Sequence, residues 1–228
     1  MKRAIAWLGQ RLNDSLPKQR WGAVTVAILT LAAATMLVAS YFLPYWQMEL
    51  DAPQIPDNLI LAVYLHGVEG DVYEIDIWNK SIGMKPIETA AQLERQLSIY
   101  GLVLIAVLLV VSLFAGRFAN WLKVPALLFP AFFFIMIAYF LYDYGHDLDP
   151  RAPITIEPFM PGLFGERGIA MFKTYSTFEA GFYLALGAAA LLLIAIVVQR
   201  FSGARSGGRD VERGRAAERT LKREEVRT

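Results

Sequence analysis

The chain has 228 residues, of which 56% are hydrophobic and 19% are charged, and its formal net charge is +1. The charges are unevenly distributed, because four stretches of about 16 to 24 residues contain almost none of them. A helix needs roughly 20 apolar residues to cross the hydrocarbon core of a bilayer, so this distribution excludes a soluble globular enzyme. The chain has no cysteine, which excludes thiolate metal sites, iron–sulfur clusters and disulfide bonds.

The apolar stretches predict an all-α membrane protein, built as a bundle of four transmembrane helices. The predicted spans are residues 21–43, 100–115, 124–142 and 178–198. The first stretch is about 23 residues long, and no small-residue cleavage site follows it, so we interpret it as a retained anchor rather than a signal peptide.

Basic side chains are concentrated on one side of the predicted spans. The segments 1–20, 116–123 and 199–228 together contain 16 basic residues, whereas the loops 45–97 and 143–176 contain 6 basic and 14 acidic ones. The positive-inside rule therefore predicts a bacterial inner-membrane protein with both termini in the cytoplasm and both loops facing the periplasm.

This topology divides the chain into three predicted parts. Residues 1–20 are predicted to form a cytoplasmic amphipathic helix at the membrane surface. Residues 21–200 form the four-span bundle with its outward loops. Residues 201–228 are rich in glycine, arginine and glutamate, and this composition is typical of a disordered cytoplasmic tail.

The outward loops are long enough to form a small periplasmic cap. In the first loop, the apolar run 59–65 and the alternating run 72–77 flank a turn-like segment, which predicts a β-hairpin with Glu74 and Asp76 on a solvated strand face. An isolated hairpin is marginally stable in water, so we expect it to pack on the second loop. That loop is rich in proline and glycine between residues 150 and 165, which predicts an extended strap.

The two outward loops begin with similar residues, which predicts a two-span internal repeat. Tyr41-Phe42-Leu43 recurs 98 residues later as Tyr139-Phe140-Leu141, and Glu49-Leu50-Asp51 recurs as Asp147-Leu148-Asp149. A repeat of span, loop and span that starts from the same side predicts a pseudo-two-fold axis along the membrane normal.

The repeat pairs Met48 with His146, and Met84 with Met171, at the outer ends of the spans. Thioether and imidazole groups suit Cu(I) where cysteine is absent, and Asp147 is adjacent to His146 and placed to orient its ring. These five residues therefore form a predicted copper site. The alternative is that the methionines pack against aromatic rings and that the histidines form hydrogen bonds within the loops.

Three stretches of the chain resemble a little-characterised bacterial family of four-span membrane proteins. The stretches are residues 44–54, 68–86 and 145–153. The family is associated with gene clusters for nitrous oxide reductase and its copper-centre maturation, and the resemblance, which covers about residues 20–200, implies a role near such copper enzymes. An Asn-His-Tyr precedes Ile-Gly-Met in the family, whereas this chain has Asn79-Lys80-Ser81. The loss of that histidine weakens the copper-handling role that the resemblance implies, and the alternative is a relative that serves another enzyme as a subunit.

Together these features predict a non-enzymatic accessory or structural subunit of a larger membrane complex. Where the predicted copper site binds metal, that complex is expected to be a copper-dependent respiratory one. No Asp, Glu, Lys, Arg or His lies inside the four spans, since Glu179 is at the edge of the fourth, and this disfavours an ion-coupled transporter. Two alternatives remain open: a structural docking subunit without metal, and a quinone-site subunit with a headgroup pocket near residues 142–146. The predicted partners are the lipid bilayer and other membrane or periplasmic subunits, and nucleic acid is not expected.

Overall fold

The computed structural model of the chain describes residues 18–51, 58–87, 92–169 and 172–201. Most of the predicted amphipathic helix and nearly all of the predicted tail lie outside these described residues. Within them, four helices are long and apolar enough to cross a membrane, and they coincide with the four predicted spans, which confirms that part of the fold prediction. Their apolar segments are Trp21–Ser40, Arg95–Ser112, Ala119–His146 and Ala180–Phe201.

The four long helices are connected by shorter helices and by the strands of a small sheet. In chain order the elements are α1 (Lys18–Ser40), β1 (Trp46–Asp51), β2 (Leu59–Val63), β3 (Val68–Gly70), α2 (Val72–Ile82), α3 (Gln92–Ser112), a 3₁₀ turn (Gly116–Phe118), α4 (Ala119–Leu122), α5 (Val124–His146), β4 (Gly165–Ile169), β5 (Phe172–Phe178) and α6 (Ala180–Phe201).

The two outward loops combine into one antiparallel sheet with the strand order β3-β2-β1-β5-β4. The central strand β1 comes from the first loop and pairs with β5 of the second, so that Trp46 lies between Val63 and Phe178. The pairing confirms that both loops lie at the same end of the helices and that the first packs on the second. The extended strap predicted between residues 150 and 165 agrees with the irregular structure up to residue 164, whereas strands β4 and β5, which pair antiparallel later in this loop, were not predicted.

Residues 72–77, predicted as the second strand of a hairpin, form the first half of helix α2 instead. Six alternating residues are too few to separate a period of two from a period of 3.6, and the buried residues Ile75 and Asn79 are at helical spacing. The strand that follows β2 and forms a hairpin with it is the three-residue β3, which lies within the predicted turn. Asp76 is correspondingly 8% exposed rather than solvated.

The segment between α5 and β4 crosses the end of α2 as an ordered strap. Its backbone donates hydrogen bonds from Asp149 N to Gly83 O (2.8 Å) and from Phe159 N to Gly145 O (3.0 Å), and its Leu163 carbonyl accepts one from Trp46 Nε1 (2.9 Å). Gly83 ends α2 with a φ of 84°, which favours glycine. We call the sheet, α2 and residues 147–164 the cap.

The segments that the internal repeat equates differ in local structure. Residues 41–43 form a turn after α1, whereas residues 139–141 lie within α5. Residues 49–51 belong to strand β1, whereas residues 147–149 follow the end of α5 without regular structure. The helix α5 continues through the positions at which α1 has already ended, so the similarity of the two segments is confined to the sequence.

The long helices share one hydrophobic cluster, to which all four contribute buried residues. Its members include Leu37, Leu102, Leu109, Ala126, Ala185, Ala188 and Leu192. Small residues of α6 face this region, because Ala185 is buried in this cluster and Gly181 lies against the chain that follows α1. A Cβ at Gly181 would lie 2.8 Å from the Pro44 carbonyl oxygen, so glycine permits this close approach.

Tyr45 lies between the end of α1 and the start of α6. The burial of its hydroxyl predicts that the stability of the protein depends on pH. Its side chain is fully buried and its hydroxyl lies 2.6 Å from Ser40 Oγ, and burial raises the pKa of the hydroxyl from 10.0 to about 12. Burial favours the neutral hydroxyl of Tyr45 in the folded state. The stabilisation that Tyr45 contributes is therefore intact below pH 10 and is lost as the pH rises through 12. We expect the free energy of unfolding in detergent to fall by about 2 kcal/mol between pH 10 and 12. The Tyr45→Phe variant should lack this component, and an equal fall in the variant would contradict the assignment.

Candidate functional site

The structure separates the residues of the predicted copper site. Met48 and Met84 both line a cavity beneath the cap. His146 is the last residue of α5 and is exposed, and Asp147 follows it on the surface. Met171 lies outside the described residues. In the described part of the chain, no three His, Asp or Glu side chains are grouped so that they could hold a metal ion, and the copper site stays a prediction.

Each of the two predicted ligands near the end of α5 has another partner. The His146 ring stacks on Tyr142 with centroids 3.9 Å apart, and its Nδ1 lies 2.8 Å from the Tyr142 carbonyl oxygen. Asp147 forms an ion pair with Lys85, and this hydrogen bond raises the pKa of the Lys85 ammonium. Asp147 therefore positions the chain that leads into α3 rather than the His146 ring.

The cavity that Met48 and Met84 line has a volume of about 640 Å³ and lies between α3 and α5, below the cap. One face of α5 forms its longest wall, with lining residues that recur every four positions. These residues are Leu128, Phe132, Met136, Phe140 and Tyr144. The opposite wall comes from α3, which contributes Gly101, Leu102 and Ile105. We call this cavity the groove.

The groove is nearly as long as a membrane is thick. Its lining on α5 runs from Pro125 to Tyr144, which at 1.5 Å per residue is a rise of about 28 Å, compared with roughly 30 Å for the hydrocarbon core of a bilayer. Gly101 widens it, because a Cβ at this position would meet no atom within 4 Å. Phe132 is 60% exposed, so the groove is open along its side.

Among the described residues that line the groove, the polar side chains are all at its cap end. On the helices these are Arg95 and Ser98, near the start of α3, and Tyr144, near the end of α5, while Asn79 comes from α2 and Tyr64 from the turn after β2. The lining below them is apolar. The groove therefore has the distribution of polarity that suits an amphiphile, with a polar head under the cap and an apolar tail along the helices.

Hydrogen bonds fix the cap end through the short segment Pro86–Ile87. The buried Asp76 accepts a hydrogen bond from Ile87 N at Oδ1 (2.7 Å). Arg95 Nη2 donates to Ile87 O (2.9 Å) and Tyr144 Oη donates to Pro86 O (2.8 Å). Helices α2, α3 and α5 are thus joined through one dipeptide, which holds the Arg95 guanidinium at the wall of the groove.

The sequence prediction reached only part of this site. Tyr144, which lies in the stretch 142–146 where a headgroup pocket was predicted, lines the groove, as do the predicted copper ligands Met48 and Met84. Arg95 and Gly101 were missed, although an arginine at the start of a span, six residues before a glycine within it, is a visible signal. Asp76 was missed because it was assigned to a strand.

Comparison with known protein families and with curated proteins found no match for this chain. The resemblance to the four-span family of nitrous oxide reductase gene clusters therefore stays a prediction, and the geometry of the groove is the main basis for inferring function.

Proposed function

We propose that the protein is a non-enzymatic, four-span inner-membrane subunit that binds the tail of a membrane amphiphile in the groove between α3 and α5. Both termini would lie in the cytoplasm and the cap in the periplasm, as the charge distribution predicts. The observation that carries the proposal is the polarity of the groove, whose polar side chains are confined to the cap end. A single-tailed occupant enters from the bilayer through the open side.

The size of the groove suits a small molecule with a slender tail, because its volume is about 640 Å³. This volume lies within the range of about 300 to 1000 Å³ that is typical of small-molecule sites. An apolar chain is therefore the occupant that fits.

The test fills the groove at Gly101, where there is room for a larger side chain. We expect the wild-type protein, extracted in mild detergent and measured by native mass spectrometry, to retain one amphiphile per chain. The Gly101→Phe variant should lose it, because the ring occupies the space of the tail. Leu104→Phe is the matched control: Leu104 lies on the same helix, is 58% exposed and does not line the groove.

Two results would contradict the proposal. One is equal retention by wild type and Gly101→Phe. The other is equal loss from Gly101→Phe and Leu104→Phe, which would attribute the loss to a general effect of a new ring on α3. Thermal unfolding of all three proteins checks that each is folded.

Copper binding is retained as the second candidate function, because Met48 and Met84 both line the groove and thioethers bind Cu(I). Cu(I) titration of the purified protein should show a site that weakens when Met84 and His146 are replaced together by Leu and Asn. Unchanged stoichiometry and affinity in that variant would contradict a copper role.

A further inference from the structure

We infer that the head bound under the cap is an uncharged ring bearing hydrogen-bond-accepting carbonyl groups, and that Arg95 is the residue that recognises it. The ligand class is thus a membrane quinone with an apolar tail. The inference concerns binding only and rests on the proposed function, because it assigns the head of the amphiphile whose tail occupies the groove.

Arg95 carries more hydrogen-bond donors than any other polar side chain described at the cap end, where the Tyr64 hydroxyl is a further donor. Tyr144 donates to Pro86 O and Ser98 donates to Arg95 O (2.7 Å), and one N–H of Asn79 is directed at Asp76. A guanidinium has five N–H groups, and Arg95 directs one of them at Ile87 O. Arg95 lines the groove, so we expect its other N–H groups to be able to donate to a carbonyl oxygen of the ligand.

The Arg95 guanidinium already has a carboxylate close to it in the protein. Asp76 accepts a hydrogen bond from Ile87 N while Arg95 donates to Ile87 O, so the two charged groups flank a single residue. A ligand at Arg95 therefore need not supply a negative charge, and a neutral carbonyl oxygen can accept from the guanidinium.

Aromatic side chains at the cap end suit a flat ring. Trp46, Tyr64, Phe140 and Tyr144 all line this part of the groove and come from strand β1, the turn after β2 and helix α5. Aromatic walls bury a planar ligand and stack against its faces. A branched phosphate head would fill this flat space poorly.

The experiment compares two soluble probes that share a ten-carbon tail, decylubiquinone and decyl phosphate. The protein is placed in phosphatidylcholine nanodiscs in a variant that keeps Trp46 as its single tryptophan, and quenching of its fluorescence reports binding. We expect saturable quenching by decylubiquinone and no competition by decyl phosphate. Arg95→Gln should weaken decylubiquinone binding at least roughly tenfold, the scale of one lost charge-assisted hydrogen bond. Arg151→Gln, in the exposed strap, should leave it unchanged.

The outcomes separate this inference from the proposed function. Stronger binding of decyl phosphate than of decylubiquinone, or equal decylubiquinone binding by wild type and Arg95→Gln, overturns the quinone assignment while Gly101→Phe still abolishes amphiphile retention. If Gly101→Phe retains the amphiphile, the groove itself is not the site and both proposals fail. Arg95→Lys keeps the charge and a donor, and an intermediate affinity for this variant distinguishes lost recognition from lost folding.

Discussion

Replacing Gly145 by alanine is expected to lower the free energy of unfolding by about 3 kcal/mol, the upper range for overpacking a tight contact. Gly145 is buried near the end of α5, and a Cβ there would overlap the carbonyl oxygen of Phe159 in the strap. The same approach supports the hydrogen bond from Phe159 N to Gly145 O, which an alanine would disrupt. The strap must then shift away from α5. Chemical or thermal unfolding in detergent measures the loss.

Gly101→Ala is the matched control for this prediction. It also adds one methyl group to a glycine in a long helix, but into open space. Removing a glycine from a helix interior stabilises it by up to about 1 kcal/mol, so this variant should be as stable as the wild type or more so. Equal stability of Gly145→Ala and the wild type would mean that the strap does not contact α5 at Gly145.

The long helices were predictable from sequence because their signal is strong and local. A run such as residues 124–142 has no charged side chain over about 19 positions, and a membrane-spanning helix is the structure that satisfies its backbone polar groups in lipid. The charge asymmetry also predicted that both loops share one end, which the pairing of β1 with β5 confirms. These properties depend on composition rather than on packing.

The cap was predicted less well, because its structure depends on contacts between distant parts of the chain. Val72–Ile82 forms a helix that buries Ile75 and Asn79. The alternating run of six residues does not indicate which side chains of this segment are buried. The partner of Trp46 Nε1 is the carbonyl oxygen of Leu163, 117 residues away. Pairings of this kind cannot be read from a single segment.

The groove could not be predicted for the same reason. Arg95 and Tyr144 are 49 residues apart in the sequence, and they meet only because both bind the Pro86–Ile87 segment. The methionines Met48 and Met84 were selected for copper through a sequence repeat, yet what unites them in the structure is the apolar wall of the groove. Residue type alone thus selected two side chains that line the groove, Met48 and Met84, but not the feature that unites them.

The segment Pro86–Ile87 links the cap to the groove, and replacing Asp76 by alanine is expected to break that link, at a loss of about 3 kcal/mol. Asp76 is 8% exposed, and its Oδ1 accepts hydrogen bonds from Ile87 N and Asn79 Nδ2. Removing the carboxylate leaves these donors without an acceptor, and each buried unsatisfied group costs about 1–3 kcal/mol. Thermal unfolding of the purified protein measures the loss.

Two variants test whether the hydrogen bond to Ile87 N is the cause. Asp76→Asn keeps an acceptor oxygen and should lose only about 1 kcal/mol, the typical worth of one neutral hydrogen bond. Glu74→Ala removes an exposed carboxylate from the same helix and should change the stability by less than about 0.5 kcal/mol. Since the same dipeptide holds Arg95, Asp76→Ala should also weaken amphiphile retention, whereas Glu74→Ala should not. A fully stable Asp76→Ala variant would show that the Pro86–Ile87 segment is held by Arg95 and Tyr144 alone.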